Sequence, residues 1–132
     1  MGEPPQEQSP FIYERLDDSS SAIRIIEVLP ASLDGHVQLT MRLIHMPAKY
    51  RCLSYMWGDT TEDHEILVNG SPMPVRENLY RFLQTAQQRY SQRPFWIDAI
   101  CINQKNHIEK NHQVQMMGRI YQGAEEVLVW LG

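Results

Sequence analysis

The stretch "WIDAICINQ", residues 96–104, decides how the second half of the chain is read. It opens as an apolar run and then delivers Asp98, Cys101, Asn103 and Gln104 within a few positions. A carboxylate, a thiol and two amides each cost stability if buried without partners. A buried strand whose carboxyl end opens into a polar loop reconciles the two halves. Pro94 stands just upstream and blocks helix continuation, so residues 95–102 ("FWIDAICI") are expected as a strand.

Working outward, Leu79, Phe82, Leu83, Ala86 and Tyr90 fall at i, i+3, i+4, i+7 and i+11, one stripe of a helix. A second helix is expected over residues 108–121, with Val114, Met117, Ile120 and Tyr121 inward and Gly123 at its C-terminal cap. "VLVWL" (residues 127–131) is a continuous apolar run, the pattern of a strand covered on both faces. "YRCLSYMW" (residues 50–57) alternates little and reads as another buried strand. Strand, helix, strand, helix, strand is βαβαβ, so the fold class is α/β with a parallel sheet and right-handed crossovers.

An N-terminal hairpin is added to that unit. "AIRIIEVLPA" (residues 22–31) and "HVQLTMRLIHM" (residues 36–46) are strands separated by the turn residues "SLDG", and the second alternates apolar and polar residues. A smaller hairpin is expected in "HEILVNGSPMPV" (residues 64–75), turning at Asn69-Gly70, with Pro72 and Pro74 confining its second arm to a sheet edge. Residues 1–10 are Pro- and Gln-rich and are expected as a mobile tail, and residues 16–22 as a polar loop. The domain therefore spans residues 11–132. A last strand with no helix after it points to truncation at the C-terminus.

With 132 residues, the chain is sized for one domain with a real core. The formal charge of −4 leaves no basic stripe, which argues against nucleic-acid binding. No run approaches the roughly 18 apolar residues of a membrane span, and the N-terminus lacks the pattern of a secretory signal. Cys52 and Cys101 are far apart and form no CxxC unit, so reduced thiols in a cytoplasmic or nuclear compartment are expected.

Three motifs together resemble the fungal heterokaryon incompatibility (HET) domain family. They are Tyr50 with Leu53, Ser54, Tyr55, Trp57 and Gly58; the unbroken run from Trp96 to Gln104; and Glu109, Gln113, Val114, Met117, Ile120, Tyr121, Ala124, Trp130, Leu131 and Gly132. Asn78 and Leu79 match the family's asparagine-leucine pair in the intervening helix, whereas Asn106 stands where an acidic residue is common. The motif-bearing core is residues 50–132. The resemblance implies an effector of nonself recognition and programmed cell death. It also implies a flavodoxin-like fold related to the Toll/interleukin-1 receptor domain, a group that often works by self-association. Some members of that wider group cleave NAD with a glutamate, so NAD would enter as a substrate and no resident cofactor is implied.

In a parallel sheet, ligands bind at the carboxyl ends of the strands. Ser54, Tyr55, Trp57, Gly58 and Asp59 are expected there after one strand, Asp98 to Gln104 after another, and Trp130 and Gly132 at the last. Asp98 and the Asn103-Gln104 pair have two open readings: loop-pinning hydrogen bonds, or a polar pocket for a nucleotide-like molecule or a protein surface. Glu109 and Gln113 follow one turn apart on the next helix. Glu109 in a first turn is explained by the helix dipole. As a catalytic group it would face a ribosyl centre, but the glutamate of the NAD-cleaving domains lies after a later strand and would fall beyond Gly132. Cys101, His107 and His112 do not make a metal or thiol site: the histidines are about 140° apart around a helix, and no zinc spacing occurs. Trp57, Trp96 and Trp130 stack on a ligand ring in one reading and fill the core in the other. No GxxxxGK[ST] or GxGxxG motif is present. Three functions follow: an effector module acting through self-association or a protein partner, an NAD-cleaving enzyme, or an inactive folded fragment.

Overall fold

The computed structural model describes residues 9–16 and 21–131. Most of the expected tail (residues 1–8), residues 17–20 of the polar loop, and Gly132 lie outside the described residues. The elements run β1 (Ala22–Val28), β2 (Gln38–His45), β3 (Arg51–Tyr55), β4 (His64–Val68), β5 (Ser71–Val75), α1 (Glu77–Arg89), β6 (Pro94–Trp96), α2 (Asp98–Cys101), α3 (His107–Gly123) and β7 (Val127–Trp130). Among the described residues the strands form one seven-stranded sheet in the order β5-β4-β2-β1-β6-β3-β7.

This is a mixed α/β arrangement: the three strands of the expected βαβαβ unit, β3, β6 and β7, pair in parallel, but the sheet as a whole is mostly antiparallel, which corrects the flavodoxin-like parallel sheet. The longest ladders, β1–β2 and β4–β5, are antiparallel, and β1 also meets β6 antiparallel. Parallel pairing is confined to β6-β3-β7 and a two-residue contact between β2 and β4. The hairpin is therefore built into the centre of the sheet, because β1 is apolar almost throughout and is buried along nearly its whole length. A strand of that composition needs neighbours on both edges and cover on both faces.

Helices α1 and α3 supply that cover from opposite sides. Phe95 meets Phe82 of α1 edge-on at 5.6 Å, while the next residue, Trp96, meets Tyr121 of α3 at 5.7 Å. Successive strand residues point to opposite faces, so the pair Phe95-Trp96 fixes one helix on each. The α1 stripe Leu79, Phe82, Leu83 and Ala86 is buried as expected.

Four further expectations are corrected. The strand from Phe95 ends at Trp96, and Asp98 to Cys101 form a helical turn instead. Its carbonyls receive donors from elsewhere: Tyr13 Oη donates to Ile100 O (2.6 Å), Arg24 Nη1 to Cys101 O (3.0 Å) and Gln104 Nε2 to Asp98 O (2.9 Å). In α3 the buried stripe is Glu109, Gln113, Met116 and Ile120, rather than one led by Val114, which is half exposed. Gly123 is not the cap residue, which is Ala124. A Cβ on Gly123 would lie 3.0 Å from Tyr50 Oη, which donates to Ile120 O at 2.6 Å, so lack of a side chain is what the position uses. Finally, β7 is a sheet edge with Val127 and Val129 42% and 67% exposed, not a strand covered on both faces.

The turn at Asn69-Gly70 forms as expected, with φ of 50° and 84°, the conformation a two-residue hairpin turn needs. Asn69 also extends the short β2–β4 contact: its Oδ1 accepts from Met41 N (2.9 Å) and its Nδ2 donates to Met41 O (3.1 Å). An Asn69→Gly variant keeps the turn and loses both side-chain bonds, for a cost of about 1 kcal/mol. Asn69→Ala adds the left-handed backbone penalty and is expected to lose roughly 2 kcal/mol or more. Urea unfolding of the two variants measures the difference.

Candidate functional site

The polar residues of the 96–104 run separate into a buried clamp and a rim. The clamp is centred on Arg24 of β1 and Glu109 in the first turn of α3, which are 1% and 4% exposed. Arg24 Nη1 donates to Glu109 Oε2 at 2.9 Å and Nη2 to Oε1 at 2.5 Å, the bidentate geometry that a guanidinium and a carboxylate favour. Nη2 also donates to Glu14 O (2.6 Å), and the guanidinium carbon lies 4.7 Å from the Tyr13 ring centroid. Glu109 Oε2 further accepts from Asn103 N at 2.6 Å. Asn106 caps α3 by accepting from Glu109 N (3.1 Å), a role asparagine fills as well as an acidic residue does. Both oxygens of Glu109 are thus engaged in joining β1, the loop after α2 and α3. Gln113, one turn on, is fully buried and donates to Ala22 O at 3.5 Å, while its Oε1 has no partner among the described residues.

The rim lies at the carboxyl ends of β3 and β6. Trp57 donates its indole N–H to the Asp98 carboxylate, and the guanidinium carbon of Arg76 stands 4.9 Å from the centroid of the Trp57 ring. Burial raises the Asp98 pKa above its ordinary value, against the opposing pull of the Ala99 backbone and Trp57 hydrogen bonds. Burial also pushes Tyr121 up to about 12, and Tyr55 well above the usual phenol range, with the Asp98 charge adding to both. Tyr55, Trp57, Asp98, Tyr121 and Arg76 therefore form one electrostatic group. The loop that carries Trp57 is held by Asn78, whose Nδ2 donates to Met56 O at 3.0 Å. Gly58 has φ of 73°, and a Cβ there would meet the Asn78 amide at 3.0 Å.

The other expected site residues lie apart from this group. Ser54 is exposed. Asp59 accepts from Thr61 N and Oγ1 at 3.0 and 2.9 Å in an exposed turn, and these bonds hold its carboxyl below the usual value. Gln104 closes the α2 turn, and the side chain of Asn103 accepts from Lys105 N at 3.2 Å. Trp96 is fully buried and Trp130 packs on Phe82 at 5.8 Å; neither indole N–H has a partner among the described residues. Cys52 and Cys101 are buried free thiols, each pushed up to about 12 by burial, which leaves almost no thiolate near neutrality. Among the described residues no three His, Cys, Asp or Glu side chains gather as metal ligands, and no helix is long and apolar enough to cross a membrane. A cleft of about 270 Å³ borders the clamp rather than the rim, lined by residues that include Phe11, Glu14, Arg24, Met41, Leu43 and Asn69, none of them from the loops after β3 or β6.

Residues 50–132, which carry both the rim and Glu109, match the family model described as "Heterokaryon incompatibility protein (HET)". The chain belongs to the HET family. It is 37% identical over 140 residues to "Heterokaryon incompatibility protein 6, OR allele" of Neurospora crassa, an alignment covering 92% of this chain and 21% of that protein. The chain thus spans about a fifth of the length of this curated relative. No solved structure matches it. Arg24, Tyr13 and Arg76 were not expected as part of the HET site. Only Arg24 carried a signal, a charge inside the apolar run "AIRIIEV".

Two outcomes are expected. Arg24→Met leaves the Glu109 carboxylate buried without its partner and costs about 3–5 kcal/mol, whereas Arg24→Met combined with Glu109→Leu recovers a large part of that loss. A double-mutant cycle in guanidinium chloride measures the coupling. For Asp98, a carboxyl pKa raised on folding means that the ionised form disfavours the folded state. That penalty is absent below the unfolded pKa and complete above the folded one. Asp98→Asn should therefore be more stable than the parent at pH 7, with the difference shrinking as pH falls through the folded pKa and vanishing below the unfolded one. Thermal unfolding followed across the acid range tests it.

Proposed function

We propose that this HET chain is an effector module of fungal heterokaryon incompatibility, a cytoplasmic unit that leads to programmed cell death through self-association or a protein partner. The observation that carries the reading is the division of labour in the family motif. Glu109, Gln113, Trp96 and Cys101 are spent on the interior, while Tyr55, Trp57 and Asp98 stand at the rim. A half-buried aromatic pair beside an arginine and a carboxylate is the composition of a recognition surface. The parallel unit β6-β3-β7, with a helix on each face, is the part of the sheet that a flavodoxin-type, Toll/interleukin-1 receptor-like relationship would share.

A second reading, cleavage of NAD at the nicotinamide–ribose bond, is favoured by one observation. Asp98 is a half-buried carboxylate with a raised pKa at the strand ends, where Glu109 is already engaged with Arg24 and Asn103. Perturbed carboxylates in such positions are candidates for proton transfer or for stabilising a cationic ribosyl centre.

Inducible expression in a filamentous fungus separates the readings. The effector reading expects growth arrest with the parent chain and at least tenfold more survivors with Trp57→Ala, provided both proteins accumulate folded. Normal growth with the parent chain accumulating in soluble form would sink it. Nicotinamide release by the purified chain, lost in Asp98→Asn, would instead establish the enzyme.

A further inference from the structure

The cleft beside the clamp exists because the sheet parts there. β2 pairs with β4 only through Gln38 with Leu67 and Leu39 with Val68, and the chain then turns back at Asn69-Gly70 into β5. Beyond Leu39, the side of β2 away from β1 has no strand beside it among the described residues. The segment before β1 bounds the gap, and Phe11 N donates to Pro72 O of β5 at 3.1 Å. What is left is the cleft of about 270 Å³, whose walls include Phe11, Arg24, Met41 and Leu43. That volume falls just below the roughly 300–1,000 Å³ of pockets that hold drug-sized molecules, so it suits a smaller one.

Backbone groups of β2 open into this space. Val37 O and Leu39 O accept from Leu67 N and Asn69 N, so the odd-numbered residues turn their backbone groups away from β1. Alternate residues of a strand direct both groups to the same side. Met41 comes next, and its N–H and C=O are both taken by the Asn69 carboxamide, at 2.9 and 3.1 Å. Leu43 follows, 38% exposed, and its N–H and C=O have no partner among the described residues. In the same wall Arg24 Nε, on a side chain 1% exposed, also lacks an acceptor among the described residues. Two donors and one acceptor are thus unused around one apolar cleft.

We propose that the cleft is a small-molecule site for a neutral carboxamide or lactam, which pairs its adjacent C=O and N–H with the backbone of Leu43. Asn69 supplies the precedent, because one carboxamide already satisfies both backbone groups of Met41, two residues away. A carboxylate cannot do the same, since it accepts but has no proton to donate to Leu43 O. Charge selects the same class. The Arg24 guanidinium is already met by Glu109. Arg42, held by Glu27 at 3.4 Å, and Glu14 both line the cleft, so a ligand of either net charge gains from one and loses to the other. The apolar body of the ligand lies against Phe11, Met41 and Leu43, and Arg24 Nε is left for a second acceptor where the ligand has one. The site is separate from the rim and stands whichever of the effector and enzyme readings holds.

Benzamide is the probe, with benzoate and N,N-dimethylbenzamide beside it, read by amide NMR on the whole chain. In the free protein the Leu43 amide is expected to exchange with solvent at least tenfold faster than that of Met41. Benzamide at millimolar concentration or below should shift the Leu43 amide saturably and slow its exchange. N,N-Dimethylbenzamide, which has lost the donor, is expected to bind at least tenfold more weakly, and benzoate likewise. Leu43→Pro removes the outward N–H without touching the β1 ladder and is expected to weaken benzamide at least tenfold, with circular dichroism confirming the fold. Should that variant not fold, the comparison of the three ligands on the parent chain carries the test by itself. A Leu43 amide already protected in the free protein would overturn the site by showing the position paired within the chain. Benzoate binding as tightly as benzamide would overturn the carboxamide class in favour of an anion on Arg42. Equal binding of benzamide and its dimethyl form would overturn the pairing with Leu43. No shift at Leu43 up to the solubility limit of benzamide would overturn the small-molecule site and leave the open backbone to a longer chain.

Discussion

One buried ion pair organises the site end of the molecule. Arg24 lies in a strand where nearly every other side chain is apolar, and its charge is tolerated because Glu109 meets it with both oxygens. Three backbone groups add to the shell: the carbonyls of Glu14 and Cys101 accept from the guanidinium, and the N–H of Asn103 donates to the carboxylate, while Arg24 Nε has no partner among the described residues. A pair of this kind adds little net stability over an apolar replacement, yet it costs several kcal/mol to break from one side. Its value is positional. It ties β1 in the middle of the sheet to the start of α3, and it holds the loop after α2 between them. The rim residue Asp98 opens the turn that this pair caps.

The elements set by local pattern could be read in the chain itself. The alternation in β2, the Asn69-Gly70 turn, the prolines of β5 and the stripe of α1 each follow from nearby residues, and each is where the pattern puts it. The turn at Asp98 could not be read that way. "DAICI" is as apolar and β-branched as a strand, and what bends it is a set of donors from Tyr13 and Arg24, more than 75 residues away in sequence. A continuous apolar run cannot by itself separate a buried strand from a buried helical turn. The inward face of α3 failed for a related reason. Two of its four buried residues are Glu109 and Gln113, and a hydrophobicity pattern counts both as solvent-facing. β7 shows the converse error, because a continuous apolar run marks a strand that excludes charge but does not say which neighbour excludes water from it.

The same logic separates motif from site. A run such as "WIDAICINQ" looks like concentrated chemistry because it mixes a carboxylate, a thiol and two amides. In the folded chain the thiol is sealed in the core, with a pKa far above neutrality. Gln104 closes a turn, and Asn103 contributes its backbone to the clamp. Much of the polarity is consumed in making a helical turn follow a three-residue strand. What remains at the rim is Asp98, with Tyr55 and Trp57 from the neighbouring strand and the loop after it. The signal for Arg24 was present as a lone charge in an apolar strand, and such a charge asks for a buried partner. The identity of that partner is a tertiary fact.

Topology explains why the rim is where it is. β3 lies between β6 and β7, so the connection through α1 runs to one side of it and the connection through α3 to the other. Chains that diverge from a central strand leave a crevice at its carboxyl end, and in open α/β sheets that is where ligands are met. Tyr55 closes β3 at that point and Trp57 follows in the next loop, while Asp98 approaches from the end of β6. Holding a carboxylate in this half-buried place disfavours the folded state whenever it is ionised, although the Trp57 hydrogen bond offsets part of the penalty. An asparagine would also accept that bond, without the charge. A side chain whose ionised form works against the fold, held at the carboxyl ends of the parallel strands, is not accounted for by stability alone.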